Sequence, residues 1–201
     1  IIASQAFINP LWGTEGLKMI ENNKSLDEIL KNFKQRDVGQ HSRQFHAISK
    51  TGEIVHHTGS KCVSWAGHVQ GKNVSVAGNM LVGSKVVEDT MQAWMDNPHK
   101  AISERLLLAM EAGEAAGGDK RGKQAAGLKI SKGQPYPILD LRVDDHADPL
   151  SELRRLLHVA DERYTIFRTA LPTVENFSGM VDRRPLDEAI AEAEEERSKT
   201  G

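Results

Sequence analysis

Residues 43–58 read RQFHAISKTGEIVHHT. The spacing of apolar residues changes here from a helical to an extended pattern, and two extended runs, 43–49 and 53–58, are joined by the turn Lys50-Thr51-Gly52. This pattern predicts an antiparallel β-hairpin. Because successive side chains of a strand point to opposite faces, His56 and His57 should not be able to chelate one metal ion together.

Helices and further strands are predicted on both sides of this hairpin. Ser25 stands at an N-cap position with Glu28 three residues later, which is the pattern of a capping box. Asp148 and Pro149 likewise mark the start of a long helix that reaches about Leu171. The other predicted elements are a strand at residues 1–6, helices at 11–22, 85–95 and 101–117, a glycine-rich loop at 59–73, strands at 74–81, 124–131 and 138–143, and an acidic helix at 187–197 outside the core. This order gives an α+β fold.

Composition excludes several classes of protein. The 201 residues carry 26 Lys and Arg against 28 Asp and Glu, a net charge of −2, which argues against a nucleic-acid partner. No apolar run approaches the length of a membrane span, and no secretory signal is visible. The single cysteine, Cys62, excludes an internal disulfide framework. We therefore expect a cytoplasmic protein with no membrane partner.

Standard catalytic and cofactor motifs are absent: the sequence has no GxGxxG, Walker A, HExxH or GxSxG, so we expect no cofactor. The densest polar cluster is residues 140–146, where Asp144, Asp145 and His146 are weak candidates for a metal site and, alternatively, form salt bridges or caps. Trp65 and His68 either line a pocket or, in the case of Trp65, cap the core. No base is nominated near Cys62, which argues against a nucleophilic thiol.

The glycine-flanked turn at residues 117–122 forces Asp119, Lys120 and Arg121 close together at a helix end. One interpretation is a solvated connection. The other is a polar cluster that supports a reactive group, because closely held charges shift each other's pKa values.

Several segments of the sequence resemble a bacterial and archaeal family, the domain of unknown function 1028, which is grouped with the N-terminal-nucleophile (Ntn) hydrolases. These segments are ASQA at residues 3–6 with NP at 9–10, KCVSWAGH at 61–68, GNMLVG at 78–83, EAGEAAGGDKRGKQ at 111–124 and DLRVDDHADP at 140–149. The resemblance covers about residues 1–158, and the order of elements is more loosely similar to proteasome-type subunits.

The resemblance implies a four-layer αββα sandwich of the Ntn-hydrolase type, formed by one domain over residues 1–171, followed by a loop and an acidic helical tail over 172–201. It also implies catalytic roles for Ser4, Asn79 and Asp119, which should converge at one rim of the sandwich. Residues implied to bind substrate are Gln5, Trp65, His68, Gly78, Lys120 and Arg121. In such a fold two strands precede the first strand seen here, so we expect the catalytic nucleophile to lie outside this chain.

Three functions follow as hypotheses. The first is an Ntn-type hydrolase of a small amide or peptide-like bond, which needs a nucleophile activated by its own α-amino group and donors aimed at the developing oxyanion. The second is a non-catalytic binding or scaffold protein that retains the sandwich. The third, weaker, is a metal-dependent hydrolase using Asp144, Asp145 and His146.

The long helix also bears on assembly. At about 1.5 Å per residue its 23 or so residues would overhang a typical sheet and expose Tyr164, Phe167 and Leu171. Exposed apolar surface of this kind usually marks a partner, so we expect a homo-oligomer, most simply a dimer. The alternative is that the acidic tail folds back over the same residues.

Overall fold

A computed structural model describes residues 1–200 of the chain, except the side chain of Thr200. By their internal contacts these residues form two compact units, Ile1–Gly122 and a second unit that begins at Lys123. The sequence analysis instead placed the boundary between domain and tail after residue 171. The single domain over residues 1–171 stays a prediction. Within residues 1–200, no helix has both the length and the apolar character that crossing a membrane requires.

The first unit contains two antiparallel sheets, four α-helices and a short 3-10 helix at Gln40–Ser42. One sheet has the order β1-β2-β3 and the other pairs β4 with β5. The strands are β1 (Ile2–Ala6), β2 (Arg43–Ile48), β3 (Ile54–Thr58), β4 (Trp65–Gly71) and β5 (Val74–Leu81), and the helices are α1 (Pro10–Glu21), α2 (Leu26–Arg36), α3 (Lys85–Asp96) and α4 (Ile102–Ala115).

The predicted hairpin is confirmed, because β2 and β3 pair antiparallel with His46 opposite His56 and Phe45 opposite His57. The two faces of β2 have different partners. Phe45 and Ala47 face α1 and α2, in a core completed by Trp12, Leu26, Ile29, Phe33 and Val55. Gln44 and His46 lie on the other face, which meets the second sheet through contacts of β2 with β5 and of β3 with β4.

Local capping explains the start of α2. The Ser25 hydroxyl accepts a hydrogen bond from the Glu28 N–H, and the Glu28 carboxylate accepts one from the Ser25 N–H, so the predicted capping box is confirmed. On the far side of the second sheet, α3 contacts β4 and β5, and α4 packs on α3. A Cβ at Gly113 of α4 would overlap the Thr90 hydroxyl of α3, so only glycine permits this close approach.

Asp37, just after α2, ties this helix layer to the sheet. Its carboxylate accepts hydrogen bonds from the Trp12 indole (3.0 Å), the Asn9 amide (2.9 Å) and the Arg43 guanidinium (3.0 Å). The side chains of Asp37 and Arg43 are only 10% and 13% exposed. Hydrogen bonds from Arg43 above all, and also from Asn9 and the Gly39 N–H, lower the pKa of the Asp37 carboxyl from 3.8 to about 2.

The second unit is a two-stranded antiparallel sheet covered by helices. It contains β6 (Ala126–Ser131), β7 (Pro137–Val143), α5 (Pro149–Glu162), α6 (Tyr164–Phe167) and α7 (Arg184–Thr200). Helix α5 contacts both strands, and α7 contacts α6. The mixed helix and strand content agrees with the predicted α+β class.

Three expected elements differ in the structure. Residues 59–73 are not all loop, because β4 pairs with β5 across residues 65–71. The single helix to Leu171 is wrong: Arg163, with φ −145° and ψ −46°, separates α5 from α6. The acidic tail is not outside the core, because Leu186 and Ile190 of α7 are buried.

The break at Arg163 removes the overhanging helix on which the expected oligomer depended. Helix α7 folds back against α6, as in the alternative considered for the monomer. Tyr164 and Phe167 nevertheless stay 38% and 41% exposed. The homo-oligomer stays a prediction.

Replacing Ile29 by alanine tests the core between β2 and helices α1 and α2. Ile29 is fully buried among the aromatic rings of this layer, so Ile29→Ala should lower the free energy of unfolding by about 2–5 kcal/mol. Lys31→Ala, at an exposed position of the same helix, should change it by less than about 0.5 kcal/mol. Urea unfolding of both variants measures the difference, and equal losses would contradict the assigned core.

Asp37→Asn tests the buried ion pair. Removing one charge leaves Arg43 without its partner, which should cost about 3 kcal/mol of stability at neutral pH. Because folding lowers the Asp37 pKa from 3.8 to about 2, the carboxylate stabilises the fold above pH 3.8 and this contribution is lost as the pH falls through about 2. Urea unfolding between pH 5 and 2 should show a steeper loss in the wild type than in the variant. If the stability of the two proteins fell in parallel with pH, the Asp37–Arg43 ion pair would be excluded as the cause of the acid destabilisation.

Candidate functional site

The amide of Gln44 lies between the two sheets of the first unit and is fully buried. The two N–H groups of its Nε2 are shared among three acceptors, the Thr58 hydroxyl (3.0 Å) and the carbonyl oxygens of Gly67 (3.1 Å) and Gly78 (2.9 Å). Its Oε1 accepts from Gln5 Nε2 at 2.7 Å and from Asn79 Nδ2 at 3.2 Å. Gln44 therefore brings together Gln5, Gly78 and Asn79, three of the residues that the resemblance implied.

Gln5 and Asn79 use their amide groups differently. Gln5 Nε2 also donates to the Ala77 carbonyl at 3.3 Å, so both of its N–H groups have protein acceptors. Asn79 donates one N–H to Gln44. Within residues 1–200, no hydrogen bond of the other N–H is seen. Asn79 is thus a side-chain donor held in place at one hydrogen, with no hydrogen bond at the other within the described residues.

Backbone strain lies next to these residues. Ala6, Ser64 and Met80 have φ angles of 65°, 59° and 57°, in the left-handed region that non-glycine residues rarely adopt. Ala6 follows Gln5, and Met80 follows Asn79. The Met80 N–H donates to the Val63 carbonyl at 3.2 Å, which joins two of the strained segments. Strain of this kind costs energy and is concentrated at functional sites.

Asp119 lies beside the same segment. It forms an antiparallel bridge with Leu81, and the N–H of Lys120 donates to the Met80 carbonyl at 2.9 Å. The Asp119 carboxylate accepts from Arg121 Nη2 at 2.5 Å and from the Arg121 N–H at 2.9 Å, and the Arg121 hydrogen bond holds the pKa of that carboxyl below its usual value. Lys120 Nζ donates to the Ser64 hydroxyl. The charged turn thus braces the strained backbone.

The expected convergence of Ser4, Asn79 and Asp119 is only partly seen. The backbone at residues 79–81 is adjacent to that at 119–120. Ser4, however, pairs with Phe45, on the face of the sheet that meets α1, and its hydroxyl lies 3.5 Å from the Asn9 carbonyl. Gln5, the next residue, points to the opposite face. Strand alternation therefore separates the Ser4 side chain from Asn79.

Trp65 and His68 lie on β4. The Trp65 ring covers Gly67, where an added Cβ would lie 2.8 Å from it. The His68 ring lies against that of His56, with centroids 3.3 Å apart. The Cys62 thiol donates to the Arg43 carbonyl at 3.4 Å, and burial raises its pKa, so this thiol is not activated as a nucleophile.

The weak metal candidates lie in the second unit, each with its own partner. Asp144 pairs with Arg142 at 2.8 Å, Asp145 accepts from Gln124 at 3.2 Å, and His146 Nδ1 accepts from the Asp148 N–H at 3.0 Å. Over the part of the chain that the structure describes, no group of three His, Cys, Asp or Glu side chains is arranged to hold a metal ion. These contacts favour the salt-bridge and capping interpretation.

A family of unknown function, DUF1028, matches residues 1–153. This chain belongs to the DUF1028 family. The crystal structure of protein SPO2555 from Silicibacter pomeroyi, described with the same family, is similar to this chain with a TM-score of 0.80 and 25% identity. The similarity covers 90% of this chain and 82% of that one. No curated protein matches the chain significantly.

The sequence of this DUF1028 protein did not indicate a role for Gln44. Gln44 lies in a strand of alternating apolar and polar residues, where a polar side chain normally faces water. Its burial depends on the second sheet, which no local pattern places over β2. A polar face of Gln44 and His46 within a short hairpin was the available signal, but it also fits a solvated strand.

Gln44→Leu tests whether this amide holds the site together. The variant leaves the Gly67 and Gly78 carbonyls and the amides of Gln5 and Asn79 without their shared partner, so we expect a loss of about 2–5 kcal/mol in the free energy of unfolding. Gln70→Leu, at an exposed position of β4, should change stability by less than about 0.5 kcal/mol. Urea unfolding decides, and a neutral Gln44→Leu would show that the network is not structural.

Proposed function

We propose that this DUF1028 protein is an Ntn-type hydrolase of a small amide or peptide-like bond, with the first unit as the core of an αββα sandwich. The observation that carries the proposal is the placement of Asn79. Its amide is fixed by Gln44, keeps one N–H available, and adjoins the strained residue Met80. A preorganised donor of this kind stabilises an oxyanion at the transition state without reorganising.

Other residues have supporting roles in this proposal. Gln5 and Gln44 position Asn79, because the Gln44 Oε1 that holds Asn79 also accepts from Gln5. Asp119, Lys120 and Arg121 brace the turn beside Met80. Trp65, His68 and Gly78 flank the network. The Ser4 hydroxyl has no donor role in this reaction, because it lies beside the Asn9 carbonyl on the face that meets α1.

The nucleophile is assigned to no residue of this sequence. The chemistry calls for an N-terminal Thr, Ser or Cys whose α-amino group, with a pKa near 8, acts as the base. We propose that the protein works in the cytoplasm, where Cys62 stays reduced.

The second candidate is a non-catalytic binding protein with the same fold. It is favoured by the degree to which the amides of Gln5 and Gln44 satisfy one another, since such a network also serves simply to fix two sheets together. A metal-dependent hydrolase at Asp144, Asp145 and His146 is favoured by no contact in the second unit.

The test uses the natural protein. N-terminal sequencing with intact mass should reveal Thr, Ser or Cys at its mature N-terminus, and an electrophilic acylating probe should label that residue. Asn79→Ala should slow labelling and amide hydrolysis about 10²–10³-fold through the lost oxyanion donor.

Gln70→Ala, at an exposed position of β4, is the matched control and should react like the wild type. Thermal unfolding checks that both variants fold. Another residue at the N-terminus, no labelling and no hydrolysis across a broad amide panel would together reject the hydrolase in favour of the binding protein.

A further inference from the structure

Three histidines from three strands meet between the two sheets of the first unit. His46 of β2 is the cross-strand partner of His56 of β3. His68 of β4 approaches from the facing sheet, and its ring centroid lies 3.3 Å from that of His56. We call His46, His56 and His68 the histidine cluster. His56 and His68, whose rings are in contact, cannot both become charged without repelling each other.

The surroundings of the histidine cluster offer little compensation for charge. The Ser75 hydroxyl of β5 lies 2.8 Å from His46 Nδ1, and Ala3 and Ala77 pair with His46 and His68. The Nδ1 atoms of His56 and His68 are buried without a hydrogen-bond partner within the described chain. An imidazolium must donate from both nitrogens, so protonation would leave a buried N–H unpaired.

The charges that act on the cluster come from the cluster itself. Burial lowers the pKa values of all three histidines, and repulsion by His68 and His56 lowers that of His46 further. Along the same faces, β1 contributes Gln5, β2 contributes Gln44 and β3 contributes Thr58. None of these groups is a carboxylate that could stabilise an imidazolium.

We propose that the histidine cluster is an acid-sensitive lock between the two sheets. The two sheets stay packed while the three imidazoles are neutral, and protonation of the imidazoles separates the sheets. The lock adjoins the Gln44 network, since Gly67, whose carbonyl Gln44 holds, precedes His68. Opening the lock would therefore also release the hydrogen bonds of Gln44 to the second sheet.

The direction of the pH dependence follows from proton linkage. In the open state each histidine takes up a proton near pH 6.5, whereas the closed state resists it. Below about pH 6.5 the open state therefore binds more protons. The ratio of closed to open protein falls by up to about tenfold per pH unit for each histidine concerned, until the pH reaches the lowered pKa of the closed state.

Amide hydrogen exchange of the full chain at pH 7 and pH 5 tests the lock. After correction for intrinsic rates, the opening constants of β2 and β4 amides should rise at least about tenfold in the wild type. Amides of β6 and β7, in the second unit, serve as an internal control and should change less. His56→Phe keeps a ring but cannot be protonated, so it should reduce the rise severalfold, whereas His99→Gln, at an exposed position, should leave it unchanged.

A second measurement does not depend on any variant. Proton NMR titration of the wild-type imidazoles should place all three cluster histidines below the free value of about 6.5. Titration of the three at or above that value would overturn the proposal. So would equal acid opening of β6 and β7, or an unchanged rise in a folded His56→Phe.

Discussion

One buried amide fixes the separation of the two sheets in the first unit. Gln44 donates to backbone carbonyls of β4 and β5 and accepts from side chains of β1 and β5. An unsatisfied amide in that position would cost free energy, whereas a satisfied one is geometrically demanding. The spacing of the sheets, the bulged pairing near Gly67 and the orientation of Asn79 all depend on keeping these bonds.

The hydrogen bonds of Gln44 also restrict how the two sheets can be arranged around the polar interior. A core filled only by aliphatic side chains would tolerate small shifts between sheets, because dispersion contacts have little direction. Hydrogen bonds to fixed carbonyls allow fewer arrangements. The same interior holds the histidine cluster, so the region that positions a candidate donor is also the region with least tolerance for charge.

Local patterns predicted the elements whose causes are local. The Ser25 capping box and the Lys50-Thr51-Gly52 turn are determined by neighbouring residues, and both are confirmed. Strand β4 was missed because its glycines are typical of a loop, and it becomes a strand by pairing with β5. The break at Arg163 has no proline or glycine to signal it, and the apolar spacing continues across it.

The candidate site was predictable only in part. Resemblance pointed to Gln5, Gly78, Asn79 and the charged turn at residues 117–122, but not to the residue that joins them. Ser4 and Gln5 are neighbours in sequence, yet the alternation of β1 sends their side chains to different layers. Convergence between distant residues is a property of the packed sheets, which a linear pattern does not contain.

Adjacent residues of β2 thus hold opposite layers: Arg43 binds Asp37 on the helix side, and Gln44 binds the second sheet. Because of this arrangement, the function of β2 depends on the register of its residues more than on its amino-acid composition. A one-residue insertion within β2 would exchange the two faces and present a guanidinium to the sheet interface. Natural variation in length should consequently collect in the turn at residues 49–53, where an added residue leaves both assignments intact.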